Sequence, residues 1–202
     1  HSNSSTHYEL PGFGHKDFVV ALGYKAEVII EYFETTKNPE LNIKLFDTGL
    51  DTSTGGRIKK LEYELNDEFM LTYGDGLSNV NIDDLLSHHQ RFGKIATVTA
   101  VRPPARFGTI EISNGVVTKF AEKDPQDAGW INGGFFCLNK KVCQFIADST
   151  TSFESEPLSH LVKIQELSAY EHHGWWQPMD TLRDKRTLEA VWEEGNAPWL
   201  IK

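Results

Sequence analysis

The sequence predicts an α/β fold in which helices flank a mixed, mostly parallel sheet that carries an antiparallel hairpin. Between residues 17 and 101, short apolar runs alternate with segments of helical spacing, as expected for parallel strands joined by crossover helices. Further along, Asn114-Gly115 separates two apolar runs, and this dipeptide is the strongest short-range hairpin signal. A chain of 202 residues fits one domain.

The first half of the chain supplies four predicted strands and three predicted helices. In the first helix, Val28, Ile29 and Tyr32 can share one face. The third helix begins at Asn81, and Asp84 follows at the spacing of a helix cap. In chain order, the predicted strands are residues 17–22, 42–46, 69–73 and 96–101, and the predicted helices are residues 26–33, 54–65 and 81–92.

The second half of the chain predicts the hairpin, two further strands and a last helix. Gly133-Gly134 lies inside one of these strands, where glycine permits the close approach of a ligand to the backbone. Thr181 and Asp184 have the spacing of a capping box at the start of the last helix. The predicted strands are residues 109–113, 116–122, 130–138 and 167–171, and the predicted helix is residues 181–194.

Composition narrows the class of protein. The chain is 39% hydrophobic and 24% charged, which is ordinary for a globular protein, and its net charge of −9 argues against a general nucleic-acid binder. No apolar run approaches the ~20 residues that span a bilayer, and no secretory signal is visible. We therefore predict a cytoplasmic enzyme with no membrane partner. Cys137 and Cys143 lack metal or redox spacing and are predicted to be buried thiols.

Two carboxylates are the leading candidates for chemistry. The run F-M-L-T-Y-G-D-G, residues 69–76, places Asp75 at the carboxyl end of an apolar strand, the edge at which open α/β sheets bind ligands. Asp180 follows Gln177-Pro178-Met179 far downstream. Brought together, the two carboxylates could hold Mg²⁺ against substrate phosphates. The alternatives are a tight turn at Asp75 and a helix N-cap at Asp180.

Three other segments have polar groups suited to a phosphorylated ligand. Small and hydroxyl residues precede Thr54-Gly55-Gly56-Arg57 and would expose backbone N–H groups to a phosphate. The Arg57 guanidinium could bind the same phosphate through two N–H groups. The alternative is a flexible loop with a surface arginine. Glu122 could accept sugar hydroxyls and Lys123 could meet a phosphate, or the two could form a surface ion pair. Asn132-Gly133 alone does not indicate a ligand site, because Asn and Gly are common in turns.

These segments together resemble the sugar-1-phosphate nucleotidylyltransferases, and most closely their glucose-1-phosphate cytidylyltransferase (CDP-glucose pyrophosphorylase) branch. The resemblance runs from Asp17 almost to the end of the chain. It implies a Rossmann-like sheet of the nucleotide-diphospho-sugar transferase type. The matching stretches are D-F-V-V-A-L-G-Y-K, D-T-G, T-G-G-R, F-M-L-T-Y-G-D-G, P-P-A-R-F-G, E-K-D-P, I-N-G-G-F-F and W-W-Q-P-M-D-T-L-R-D-K; T-G-G-R and the last stretch are typical of the cytidylyltransferases.

The resemblance also implies the roles of individual residues. Asp75 and Asp180 match the family's Mg²⁺ ligands, and Lys123 and Arg57 complete the catalytic set by holding phosphates. The other matching positions contact substrate. Thr52 matches a nucleotide or phosphate contact, and Gly74 matches a backbone contact to the substrate, with Tyr73 beside it. Glu122 pairs with Lys123 at the sugar phosphate, and Asn132 and Gly133 match sugar contacts.

The implied reaction joins CTP and α-D-glucose 1-phosphate to give CDP-glucose and pyrophosphate, with Mg²⁺ as cofactor, in lipopolysaccharide O-antigen biosynthesis. UTP or dTTP could replace CTP. The resemblance also implies a homo-oligomer, and the tryptophans Trp175, Trp176, Trp192 and Trp199 suit either core packing or a subunit interface.

One departure from the family is serious. Its members begin with a strand and a G-G-x-G-T-R loop that wraps the triphosphate, and this sequence contains neither. We therefore expect residues 1–202 to form one nucleotidyltransferase domain without that loop, with residues 1–6 as a tag remnant or disordered end. A catalytically degenerate sugar-nucleotide-binding protein is the alternative.

Overall fold

The computed structural model describes residues 14–103, 109–121 and 129–200. Its strands are β1 (Asp17–Leu22), β2 (Asn42–Asp47), β3 (Glu68–Leu71), β4 (Gly76–Ser78), β5 (Ala96–Val101), β6 (Thr109–Ser113), β7 (Val116–Ala121), β8 (Ile131–Asn139), β9 (Leu167–His172) and β10 (Trp176–Pro178). Its α-helices are α1 (Ala26–Thr35), α2 (Thr54–Lys60), α3 (Ile82–Phe92), α4 (Glu156–Lys163) and α5 (Leu182–Glu193), and Glu62–Glu64 and Lys140–Phe145 form 3₁₀ turns.

The central sheet has four strands in the order β3-β8-β5-β9. Strand β8 is antiparallel to both β3 and β5, while β9 is parallel to β5. Three of the four strands therefore run in one direction and β8 runs against them. This arrangement confirms the predicted mixed, mostly parallel sheet. It also brings the amino end of β8 to the edge at which β3, β5 and β9 end.

Three two-stranded pairs accompany the central sheet. Strands β1 and β2 are parallel, as expected of strands joined by helix α1, and β4 pairs with β10 in antiparallel fashion. Strands β6 and β7 form the predicted hairpin. Its turn residues Asn114 and Gly115 have φ angles of 48° and 80°, the positive values that a two-residue hairpin turn of this kind requires.

The hydrophobic core lies between the central sheet and the elements that follow β8. Phe136 and Leu138 of β8 pack with Phe153 and with Leu161 of α4, and all four are almost completely buried. Both cysteines are buried and free, as predicted. Burial raises the pKa of the Cys137 thiol to about 12, so this thiol is protonated and unreactive at neutral pH.

Several boundaries follow the predictions and others do not. The caps at Asn81 and Thr181 form as predicted, each side chain accepting a hydrogen bond from the backbone N–H three residues later. The segment predicted as one helix over residues 54–65 is instead α2 followed by a 3₁₀ turn, with the buried Leu61 as the C-cap residue between them. Helix α4 and strands β4 and β10 were not predicted.

Helix α1 shows its apolar face to solvent. Val28, Ile29 and Tyr32 are exposed. The structure describes every residue of α1, and none of them is buried. Within the described ranges, no helix has the length and apolar character needed to cross a bilayer.

Candidate active site

The pairing of β4 with β10 brings the segments of the two predicted metal ligands together. Pro178 lies opposite Gly76 in the ladder, and the backbone N–H of Met179 donates to the carbonyl oxygen of Asp75 at 2.7 Å. Asp180 is the next residue along. Both aspartates are exposed. Two exposed aspartates that are remote in sequence therefore belong to neighbouring backbone segments.

The structure excludes the alternative given for Asp180, that it is a helix N-cap. The N-cap of α5 is Thr181, whose hydroxyl accepts from the backbone N–H of Asp184 at 3.2 Å. The Asp184 carboxylate accepts in return from the backbone N–H of Thr181 at 3.0 Å. The helix N-cap interpretation of Asp180 is therefore wrong, because the adjacent threonine fills that position.

The donor set at this position fits a hard divalent cation. Carboxylate oxygens are the ligands that Mg²⁺ prefers, and in phosphoryl-transfer sites it is usually held by one or two carboxylates plus substrate phosphates. Across the described residues, no group of three or more His, Cys, Asp or Glu side chains forms a metal site without substrate. A two-carboxylate site would thus depend on phosphate oxygens to complete the coordination.

Tyr73 and Asn132 lie beside the carboxylates at the same edge of the sheet. The Tyr73 hydroxyl donates to the Glu154 carboxylate and accepts from Asn132 Nδ2 at 3.4 Å. Asn132 Oδ1 accepts from the backbone N–H of Gly134 at 2.9 Å. Burial, and then the hydrogen bond with Glu154, raise the pKa of Tyr73 well above its usual value, so its hydroxyl stays a neutral donor.

The glycines of this edge differ in the space around them. A Cβ at Gly133 would lie 2.7 Å from Val101 Cγ1, so that backbone is held tightly between strands. Its carbonyl oxygen accepts from the indole N–H of Trp176 at 2.8 Å. A Cβ at Gly74 would meet none of the described residues within 4 Å, which leaves the Gly74 backbone open to a ligand.

Arg57 lies at the carboxyl end of β1. Its Nη1 donates to the carbonyl oxygen of Leu22 at 2.7 Å and to Thr48 Oγ1 at 2.5 Å. The side chain is half-buried, so the alternative of a surface arginine on a flexible loop is wrong. Thr52 is buried, and its hydroxyl donates to the Thr48 carbonyl oxygen at 2.5 Å.

Helix α2, which carries Arg57, packs against the segment that precedes α4. The backbone N–H of Ser53 donates to the Ser149 carbonyl oxygen at 2.9 Å, and that of Gly56 donates to the Thr151 carbonyl oxygen at 3.2 Å. Thr54 Oγ1 accepts from the backbone N–H of Phe153 at 2.9 Å. The Gly-Gly pair allows this contact because the two backbones meet without intervening side chains.

Replacing Gly56 with Ala is expected to destabilise the protein by about 1–3 kcal/mol, the usual cost of overpacking. Alanine ordinarily favours a helix over glycine, but here its Cβ would lie 2.3 Å from the Ser149 carbonyl oxygen, inside van der Waals contact with backbone. Urea unfolding would measure the loss. The control is Gly129→Ala, where a Cβ meets none of the described residues within 4 Å. Equal stability of the two variants would contradict the packing argument.

Some predicted site residues cannot be placed, and one neighbour of the site was not predicted. Glu122 and Lys123 lie outside the described residues. Glu154, in contrast, contacts Tyr73 directly although no motif singled it out. Its only sequence signal is a carboxylate in a run of hydroxyl residues, T-T-S-F-E-S, which is common in ordinary loops.

Comparison with known proteins identifies the family. Residues 10–184 match the model of a family described as nucleotidyl transferase, which covers most of the chain. The chain belongs to the nucleotidyl transferase family. This nucleotidyl transferase is 44% identical to the glucose-1-phosphate cytidylyltransferase of Salmonella typhi, over 92% of this chain and 81% of the relative. It is 38% identical to a probable glucose-1-phosphate cytidylyltransferase of Bacillus subtilis, over 94% of this chain and 83% of the relative.

Solved structures confirm the fold of this nucleotidyl transferase. HddC from Yersinia pseudotuberculosis superposes with a TM-score of 0.66 at 21% identity, covering 86% of this chain and 77% of that one. A putative glucose-1-phosphate thymidylyltransferase from Bacillus anthracis superposes with a TM-score of 0.64 at 16% identity, covering 86% and 74%. At these identities the likeness concerns the fold alone, and it confirms the predicted nucleotide-diphospho-sugar transferase type of sheet.

Proposed function

We propose that this nucleotidyl transferase makes CDP-glucose and pyrophosphate from CTP and α-D-glucose 1-phosphate. The observation that carries the proposal is the 44% identity to the Salmonella typhi glucose-1-phosphate cytidylyltransferase across 92% of the chain. The motifs W-W-Q-P-M-D-T-L-R-D-K and T-G-G-R support the same base and sugar.

The chemistry explains why the site needs no nucleophilic side chain. A phosphate oxygen of glucose 1-phosphate attacks the α-phosphorus of CTP, the new P–O bond forms there, and the bond to pyrophosphate breaks. The attacking phosphate is already ionised at neutral pH, so no side chain has to remove a proton. The obstacle is repulsion between two anions, and positioned cations and dipoles overcome it.

Asp75 and Asp180 are proposed to hold a Mg²⁺ ion. Their adjacent exposed positions, set by the Met179–Asp75 backbone hydrogen bond of 2.7 Å, support this assignment. When bound, the ion supplies positive charge to both substrates' phosphates. Each aspartate would supply a carboxylate oxygen as a ligand.

The remaining residues are proposed to bind the two substrates. The sugar would be held by four residues at the sheet edge, Tyr73, Gly74, Asn132 and Gly133. The close packing of the Gly133 backbone against Val101 would keep that contact in a fixed position. Glu122 and Lys123 would bind the sugar hydroxyls and phosphate. Thr52 and Arg57 would contact the nucleotide. Arg57 Nη1 donates to the Leu22 carbonyl oxygen at the end of β1, and the remaining N–H groups of its guanidinium would bind phosphate.

Turnover with the four triphosphates tests the proposal. With glucose 1-phosphate and Mg²⁺, CTP is expected to release pyrophosphate at least ten times faster than UTP, dTTP or GTP, and a chelator is expected to stop the release. Calorimetry with CTP, CDP-glucose and glucose 1-phosphate accompanies the assay. Preference for UTP or dTTP would refute the assignment of the base, and CDP-glucose binding without turnover would identify a catalytically degenerate binder.

Assembly and cellular role stay predictions from the family. A homo-oligomer and a part in O-antigen biosynthesis are predicted from the resemblance, and a cytoplasmic location is predicted from composition. Trp175 and Trp192 each pack against Trp199 within the chain, with ring centroids 5.1 and 6.4 Å apart, so these three tryptophans are at least partly used in the packing of the C-terminal segment.

A further inference from the structure

A single carboxylate, Glu154, joins two separate parts of the candidate active site. Its Oε2 accepts from Thr54 Oγ1 at 2.6 Å and from Ser152 Oγ at 2.7 Å. Its Oε1 accepts from the hydroxyl of Tyr73. Thr54 is the first residue of α2, the helix that carries Arg57, whereas Tyr73 lies two residues before Asp75. We call Glu154, Thr54, Ser152 and Tyr73 the Glu154 network.

The network holds Glu154 in its charged form. Burial by itself would raise the pKa of this carboxyl, but the hydrogen bonds from Thr54, Tyr73 and Ser152 outweigh burial, and the pKa lies below its ordinary value. Glu154 is therefore ionised at neutral pH and only accepts hydrogen bonds. An ionised acceptor makes each of these bonds stronger than a bond between neutral groups.

Tyr73 is partly buried and held by contacts to both its ring and its hydroxyl. Its ring packs against the backbone of Gly134, where a Cβ would lie 2.6 Å from Tyr73 Cδ2, and Gly134 has a φ of +82°. The ring meets Phe136 edge-on with centroids 6.0 Å apart. Its hydroxyl lies between Glu154 and Asn132. The turn that carries Asp75 is therefore held on one side by Tyr73 and on the other by the hydrogen bond from the Met179 backbone N–H to the Asp75 carbonyl oxygen at 2.7 Å.

We propose that Glu154 is a positioning residue for nucleotidyl transfer, which sets the Asp75 turn through Tyr73 and ties it to the start of α2. This inference deepens the function proposed above and rests on it. The three side chains that bond to Glu154 are Thr54, Ser152 and Tyr73, so its effect would pass through them. Without Glu154, the Asp75 carboxylate would shift by a fraction of an ångström. The substrate phosphates would then be wrongly oriented for the reaction.

A double-mutant cycle tests the proposal, using Glu154→Ala, Tyr73→Phe and the two combined. Glu154→Ala is expected to lower kcat about 10-fold with a smaller change in KM for CTP, since the loss is one of orientation. In the Tyr73→Phe background, the same substitution is expected to cost 3-fold or less, because the hydrogen bond with Tyr73 is already absent and only those with Thr54 and Ser152 are lost. Glu156→Ala, two residues away and exposed, is the control and is expected to be neutral.

Two further measurements distinguish a failure of the Glu154 proposal from a failure of the proposed function. The same four proteins are unfolded in urea, and calorimetry gives their affinity for CDP-glucose. Coupling between the two substitutions in both stability and kcat supports the proposal. Additive losses in kcat in an active protein, or coupling in stability alone, would overturn it and leave the proposed function intact. An unsubstituted protein that neither turns over CTP nor binds CDP-glucose would refute the proposed function, and this inference with it.

Discussion

Replacing Asp75 with Asn is expected to lower cation-dependent turnover by ~10²–10³, the scale of losing one preorganised electrostatic group. The amide keeps the size of the side chain and the backbone contact to Met179, but it removes the negative charge that a divalent cation requires. Because the side chain is exposed, the fold is expected to be unchanged. Pyrophosphate release at saturating CTP and increasing Mg²⁺ concentration is the measurement.

The matched control for this substitution lies at the other end of the same strand. Asp67 is also exposed and directly precedes β3, whereas Asp75 follows it. Asp67→Asn changes the net charge by the same amount and is expected to leave turnover within 2-fold. If Asp75→Asn retained near-normal turnover, or if both variants lost it equally, Asp75 would have no special part in the reaction.

Replacing Phe153 with Ala is expected to cost about 3–5 kcal/mol of unfolding free energy, as for other large-to-small changes of buried aromatics. The side chain is completely buried, and its ring meets that of Phe136 edge-on at 5.5 Å. The cavity would lie in the core cluster that Phe153 shares with Phe136, Leu138 and Leu161. We expect the melting temperature to fall by about 10 °C, since 1 kcal/mol corresponds to ~2–4 °C in a chain of this size.

The control for Phe153 is a phenylalanine at the surface. Phe92 is 48% exposed and packs against His88 within helix α3. Phe92→Ala is expected to cost less than about 1 kcal/mol, because about half of the residue is already exposed to water. Similar melting temperatures for the two variants would show that Phe153 does not hold the core together, contrary to its burial.

Local sequence patterns were sufficient for the elements that carry strong periodic signals. Strands β1, β5 and β6 have their predicted bounds, and the predicted hairpin turn at Asn114-Gly115 has the positive φ angles that such a turn requires. The two helix caps also formed as predicted. Each of these features is encoded within a few consecutive residues, in apolar spacing, in a turn dipeptide or in a capping side chain, so a single segment contains enough information.

The same patterns failed where an element exists only because of a distant partner. Strands β4 and β10 have three residues each, and neither has enough apolar alternation to be detected alone. They form because they pair with each other. The direction of β8 likewise follows from its place between β3 and β5. Cross-strand pairing depends on which segments meet, and local propensity does not contain that information.

By itself, the sequence determined the family, the α/β class and the two acidic residues most suited to a cation. Those conclusions need only residue types at set spacings. The tertiary structure alone decided that the segments of Asp75 and Asp180 are neighbours, that Arg57 is fixed on the carbonyl oxygen of Leu22, and that Glu154 joins α2 to Tyr73. Each is a contact between segments far apart in the chain, and its geometry is set by the packing of the whole fold.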